Sequence, residues 1–231
     1  MTEEITKTIK SLESNCNKVF FSENRENATD FLLKLIPLKA IVGVGDSATL
    51  KQMQVLDLLV KRGNQVINPF TKHFRSSSTV TWEEATRKAL LSDIFITSSN
   101  AVTKDGKIVN IDNTGNRVAG LIYGPKKAII VVGRNKIVKN VDEAFYRLKN
   151  VIVPYHALKK GFTSPCAISG KCVDCDSPQR LCNVTVVFNK RRIDTTVVII
   201  SEDLGLSWDE SWPDERISQI KFNYDKVTMV N

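Results

Sequence analysis

Four of the five cysteines crowd into one stretch, spaced Cys166-x5-Cys172-x2-Cys175-x6-Cys182. The chain starts MTEEITKTIKSLES, without the apolar core of a secretory signal, so such density points to a metal or redox centre rather than to disulfides. Structural zinc favours two tight pairs of ligands. Here only Cys172 and Cys175 form such a pair, and the wider flanking gaps suit the larger [4Fe–4S] cube. Zinc is the second reading and free thiols the third. With all four cysteines as ligands the protein closes every iron, which suits electron transfer or a structural clamp. With Cys166 left out, one iron stays open as a Lewis acid. The stretch 162–183 is long and polar, and a metal clamp would order it. Cys16, at helical spacing from Ile5, Ile9 and Leu12, reads as core packing.

Two glycine-bearing turns offer a second chemistry. Gly43-Val-Gly45-Asp-Ser47-Ala-Thr49 sits between an apolar strand and an amphipathic helix. There the helix-start amides and the Ser47 and Thr49 hydroxyls can cradle an anion. No Gly-Lys-Ser/Thr follows, so this is not a Walker loop. It fits G-x-G-x-x-A, but the second strand ends Val66-Ile67-Asn68-Pro69, without the carboxylate a dinucleotide ribose needs. A plain strand-to-helix turn is the alternative. The second turn, Asp112-Asn113-Thr-Gly115-Asn116-Arg117, offers two amides and a guanidinium suited to phosphate or carboxylate. Its alternative is an Asx-turn capping the next helix. Two such loops, each after a strand of one sheet, point to a ligand crevice at the strand ends. Other residues carry less chemistry. His156 reads as helix packing and His73 as a loop residue more than a crevice one. Glu83 and Glu84 suit the first turn of a helix, Asp93 a cap on the preceding helix, and Trp208 and Trp212 a packing or interaction tail.

The elements that must position these groups follow from hydrophobic spacing. Helices are expected for the opening residues and for 24–35, 47–61, 82–91 and 141–148. Short apolar strands are expected at 18–21, 40–44, 65–67, 93–98 and 128–132, with a hairpin over 101–110 turning at Asp105-Gly106. Strands alternating with helices, and apolar on both faces, imply an α/β fold with a mainly parallel sheet flanked by helices. The β-branched segments 184–188 and 195–200, joined by the basic turn 189–194, read as a C-terminal antiparallel β-hairpin beside the cysteine loop. Most of the core is expected before Pro154, and the weakly patterned tail after Glu202 is expected to wrap the surface.

The strings "GVGDSATL" and "TSSNAVTKDGKIVNIDNTGNRVAGLIYGPKKAIIVVGRNKIV" give this pattern a family. In order and spacing, residues 24–152 resemble the lactate-utilisation (LUD) domain family. The resemblance implies a fold like the sugar-phosphate isomerases and CoA transferases, with the ligand at the strand ends. It also implies that Gly43, Gly45, Ser47 and Thr49, then Asn100, Asp112, Asn113, Gly115, Asn116 and Arg117, line the pocket. Members of the family are linked to oxidising lactate alongside iron–sulfur partners, and fold alone does not supply a reaction. A short, cysteine-free LUD domain would lack the cysteine-bearing tail.

Residues 1–160 therefore read as a LUD-like α/β domain, with 161–231 as a cysteine-rich metal-binding loop, hairpin and tail packed on it. At 42% hydrophobic and 25% charged residues, the chain can bury an ordinary globular core. The longest apolar run, 128–132, is far short of the roughly 20 residues a bilayer needs, so a cytoplasmic, membrane-free protein is expected. The net charge is +8, but the basic residues come in ones, twos and threes without interleaved aromatics. That reads as a solvated basic surface rather than a nucleic-acid site, and a small anionic ligand would use the same charge equally well. The leading expectation is a redox-linked protein that binds an organic acid or phosphorylated compound and works with a redox partner protein. An isomerase- or CoA transferase-like enzyme with a structural metal, or a non-catalytic metal-stapled module, is the alternative.

Overall fold

The computed structural model describes residues 1–15 and 17–228, apart from the side chain of Arg75, so the expectation for Cys16 lies outside the described residues. The chain opens with α1 (Glu3–Ser14), β1 (Lys18–Ser22), α2 (Arg25–Leu35), β2 (Val42–Val44), α3 (Ala48–Met53), α4 (Val55–Arg62) and β3 (Val66–Ile67). Then come α5 (Lys72–Ser77), α6 (Trp82–Ala89), β4 (Ile94–Thr97), β5 (Ala101–Thr103), β6 (Ile108–Asp112), α7 (Asn116–Tyr123) and β7 (Lys127–Gly133). A single 3-10 turn at Arg134–Lys136 leads to β8 (Ile137–Val138) and α8 (Val141–Arg147), and a π-helical turn at Leu148–Ile152 to α9 (Val153–Lys159). The chain continues through α10 (Pro165–Ser169), β9 (Val184–Phe188), β10 (Asp194–Ile200) and α11 (Asp214–Thr228).

Six strands form one parallel sheet in the order β1-β10-β7-β4-β2-β3, and a smaller mixed sheet runs β8-β5-β6-β9. The fold is α/β with a mainly parallel central sheet flanked by helices. Successive side chains alternate across the large sheet. In β4, Ile94 and Ile96 enter one core with Leu32, Leu50 and Leu59 of α2, α3 and α4. Phe95 enters the opposite core with Leu12 of α1 and Leu121 of α7. β7 and β10 divide in the same way, Ile129, Val131, Val198 and Ile200 on the first face and Ile130, Val132, Val197 and Ile199 on the second. A third core lies between the small sheet and α8, α9 and α11, where Trp208 meets the Tyr155 ring edge-on at 5.5 Å.

Several expectations are corrected. The hairpin over 184–200 does not form. β9 pairs antiparallel with β6, while β10 runs parallel between β1 and β7. The reason is cover: β10 is apolar on both faces, and only a sheet interior dries both. The basic turn crosses from one sheet to the other, and its Arg191 is buried against the Phe188 ring at 4.6 Å, donating to Thr195 Oγ1 at 3.1 Å and to the Leu121 carbonyl. The core consequently extends past Pro154, since Val197, Val198, Ile199 and Ile200 are fully buried.

The helix expected over 47–61 breaks at Gln54, which adopts a left-handed φ of 55°. The helix expected over 141–148 runs on to Lys159. Pro154 has no amide to offer and its ring crowds the preceding turn, so the chain widens there, with Val153 N–H reaching back to the Leu148 carbonyl. Asp93 caps no helix; its carboxylate accepts from Ile41 N–H at 2.8 Å and ties β2 to β4. The tail forms α11, which buries Ile217, Ile220, Tyr224 and Thr228. No described helix is long and apolar enough to cross a membrane.

Candidate functional site

A parallel sheet brings all its carboxyl ends to one edge. β2 hands over to Asp46 and Ser47, β4 to Ser98, Ser99 and Asn100, β7 to Lys136, and the segment after β10 to Leu206. With the turn after β6, and with α9 and α11, these residues line a cavity of about 860 Å³. Phe70, Trp82, Ile152, Val153 and Phe162 give it an apolar wall.

Its charge is lopsided. Lys51, Arg117, Lys136, Lys159 and Lys160 face two carboxylates, Asp46 and Asp112. Lys51 pairs with Asp46 at 2.9 Å and Lys159 with Asp225 at 2.8 Å. Burial opposes the charge on Asp46, and the charge and hydrogen bond of Lys51, with the nearby Lys160 and His156, together hold the carboxyl below its usual range. Arg117 is held in place by the Asn100 amide oxygen at 2.9 Å, by the Ile111 carbonyl and by the Asp112 carboxylate at 3.8 Å.

Lys136 differs from the other lysines. It is 5% exposed, and its ammonium donates to Ser98 Oγ at 2.7 Å and Thr49 Oγ1 at 3.1 Å. Among the described residues no carboxylate pairs with it. Burial, with the Arg117 charge adding, pushes its pKa down to about 7. On α9, His156 shares a hydrogen bond with the Tyr224 hydroxyl of α11. Burial pushes His156 down to about 4 despite the pull of Asp46, and burial raises Tyr224.

Of the ten residues expected to hold ligand, Ser47, Asn100, Asp112, Asn113, Asn116 and Arg117 line the cavity. Gly43, Gly45, Thr49 and Gly115 stand behind it. A Cβ on Gly43 would lie 2.3 Å from the Ala89 carbonyl oxygen, so this glycine admits α6 rather than a ligand. A Cβ on Gly45 would lie 2.8 Å from Thr97 Oγ1 and 3.0 Å from Arg117 Cγ; the space it leaves is filled by Thr97 and the Arg117 stem. Thr49 reaches the cavity only through Lys136 and Ser98. Ser47 caps α3 by accepting from Leu50 N–H at 3.2 Å. Asp112 accepts from Val118 N–H at 3.2 Å, and Gly115 starts α7 with a left-handed φ of 89°. The second turn therefore caps its helix and also presents Arg117. His73 lies outside the lining, and His156, expected as helix packing, is part of it.

Lys136 and Tyr224 are missing from the expected set. A signal for Lys136 was present in Gly133-Arg-Asn-Lys136, the turn that ends an apolar strand, the same station as Ser47 and Ser98. The model of the LUD domain matches residues 5–200. The chain belongs to the LUD domain family. That match reaches through β9 and β10, beyond the residues that carry the sequence resemblance. No curated protein matches the chain. It is similar to a solved DUF162 family protein from Deinococcus radiodurans at 13% identity, covering 86% of this chain and 97% of that one at a TM-score of 0.45.

In this LUD domain the cysteine loop borders the cavity, with Phe162 and Leu181 near its ends both in the lining. Asn183 donates to Asn113 Oδ1 at 2.7 Å and ties the loop to the second glycine turn. Cys166, buried in the first turn of α10, lies 3.5 Å from Ser164 Oγ, and Cys182 packs at the edge of the same core. Between them Cys172 and Cys175 are half-buried. Asp174 N–H donates to the Cys172 sulfur at 3.4 Å, and Arg180 donates to the Cys175 carbonyl at 2.8 Å. All four thiols are free. Among the described residues no three His, Cys, Asp or Glu side chains are gathered as a metal site. The donor set suits a soft metal by its chemistry, while the loop as folded does not gather three of its sulfurs.

Proposed function

We propose that this LUD domain binds a small anionic ligand, an organic acid or a phosphorylated compound, in the cavity at the carboxyl edge of the parallel sheet. The observation that carries the reading is the lopsided lining, five cationic side chains against two carboxylates. An anion there meets the fixed guanidinium of Arg117, and the apolar wall accepts its carbon skeleton. Thermal shifts with phosphate, lactate, nucleotides and coenzyme A test this. One of them should raise the melting temperature, and Arg117→Ala should weaken its binding by roughly 1.5–3 kcal/mol. Shifts unchanged by Arg117→Ala would put the site elsewhere.

The second part of the proposal is that Cys166, Cys172, Cys175 and Cys182 hold an iron–sulfur cluster, with zinc as the competing metal. When bound, such a cluster would pass single electrons between the ligand site and a redox partner protein. Support comes from the density of free thiols and from the loop's share in the cavity wall. A cytoplasmic setting, where thiols stay reduced, suits both parts. Anaerobic purification should give a brown, iron-containing protein; a colourless protein with one zinc per chain would sink the redox reading.

A further inference from the structure

Among the described residues Lys136 pairs with no acid, yet its seat is closely built. Its position, between the end of β7 and the start of β8, is locked by its neighbour Asn135, which is fully buried. The Asn135 amide donates to the Ser207 carbonyl at 3.0 Å and accepts from Leu204 N–H at 3.0 Å, drawing the segment after β10 across the lysine head. There the chain passes through Gly205, whose left-handed φ of 72° is fixed by its amide donating to Gln52 Oε1 at 2.6 Å. A Cβ on Gly205 would lie 2.5 Å from Thr49 Oγ1 and 2.8 Å from Lys136 Nζ. The clearance above the amine is therefore part of the design of the backbone. Two hydroxyls, 3.3 Å from each other, face it from below, and the cavity opens beside it.

We propose that Lys136 is a nucleophile that captures an aldehyde or ketone bearing a carboxylate or phosphate, forming an imine with it. The proposal rests on the cavity's being the ligand site. Two groups fix the substrate class: the amine asks for a carbonyl carbon, and Arg117, whose charge is felt at Lys136, asks for an acidic group on the same molecule. Hydroxyl partners, unlike a carboxylate, leave the amine free to lose its proton, and burial favours that loss. The uncharged Nζ adds to the carbonyl carbon, and the carbonyl oxygen takes up the proton that the nitrogen sheds, relayed through the Ser98 hydroxyl. The carbinolamine then loses its hydroxyl together with the second nitrogen proton as water, leaving a carbon–nitrogen double bond. No electron is gained or lost and no co-reactant is consumed.

The test is reductive trapping of the full-length protein with sodium cyanoborohydride, read by peptide mass spectrometry. The probes are pyruvate and glycolaldehyde phosphate, with lactate and glycerol phosphate as their carbonyl-free matches. One carbonyl probe should add its reduced form to the Lys136 peptide, about a hundredfold faster than to exposed lysines, whose amines are almost wholly protonated at neutral pH. Whichever probe reacts distinguishes carboxylate from phosphate. The carbonyl-free probes should leave no adduct, and Lys136→Arg and Lys136→Met should each abolish it. A carbonyl probe that shifts the melting temperature but leaves Lys136 unlabelled overturns the imine and spares the anion site. Labelling spread evenly over surface lysines overturns the imine too. Neither shift nor label from any probe overturns both.

Discussion

At the carboxyl edge of the parallel sheet, Thr49, Ser98 and Lys136 are carried by elements that pack against strands covered on both faces. In the cysteine loop, Cys172 and Cys175 hang between one five-residue helix and β9, steadied by Arg180. Both regions collect polar groups beside the same cavity. In the first, the polar atoms are already paired and aimed before any ligand arrives, so binding costs little ordering. In the second, Cys172 and Cys175 lie half-buried on an irregular stretch, so a metal held there, as proposed, would be linked to the loop's order.

The largest effect should come from disturbing the sheet edge. Gly43→Val drives a side chain into the Ala89 carbonyl, which is backbone and cannot swing aside. Urea unfolding should show a loss of about 3 kcal/mol or more. A loss near that of a surface substitution would mean that β2 and α6 are not rigidly joined.

Next comes Lys136→Met. The folded lysine releases its proton near pH 7 and the unfolded one near 10.5, so below pH 7 burial of the charge costs stability in full. Between those values the unfolded state binds more protons, and the wild type gains stability as pH rises. The methionine variant should therefore melt higher than wild type at pH 6.5, by about 2 kcal/mol, with Thr49 and Ser98 left to bond each other. That advantage should shrink steadily towards pH 10. A variant less stable than wild type at pH 6.5 would show that the ammonium is paired well enough to hold the edge together.

The smallest effect on the fold should come from the other region. Cys172→Ser should leave unfolding free energy within about 0.5 kcal/mol of wild type in metal-free protein, with far-ultraviolet circular dichroism unchanged. In metal-loaded protein it should lose the iron. Full iron retention would remove Cys172 from the ligand set.

What the sequence disclosed follows the same division. Strands such as 128–132 are apolar at every position, a pattern that only a two-sided parallel sheet explains, and their neighbours along the chain were readable as helices. The same test applied to 195–200 would have put β10 inside the sheet, but two β-branched runs joined by a short turn look like a hairpin whichever sheet they join. Tail helix α11 escaped because Ile217, Ile220, Tyr224 and Thr228 are its buried positions amid charged residues, a stripe too thin to stand out. At the site, Arg117 was legible because a guanidinium in a glycine turn is uncommon. Lys136 was marked only by its station at the end of an apolar strand, a weak sign because lysine is ordinarily a surface residue. Its burial is made by Asn135 and Gly205, and the second of these arrives from a segment far along the chain.

The place of β10 has a consequence for the order in which the protein can be made. Among the described residues β1 has no strand but β10 beside it, and β7 lies between β4 and β10. A chain growing from the ribosome would therefore leave these strand edges with unpaired amides and carbonyls until residues 194–200 emerge. Such edges can pair with an extended segment of another chain. Synthesis that pauses in the cysteine loop would prolong that exposure, and chaperone capture or aggregation of nascent chains should peak at ribosomes stalled there.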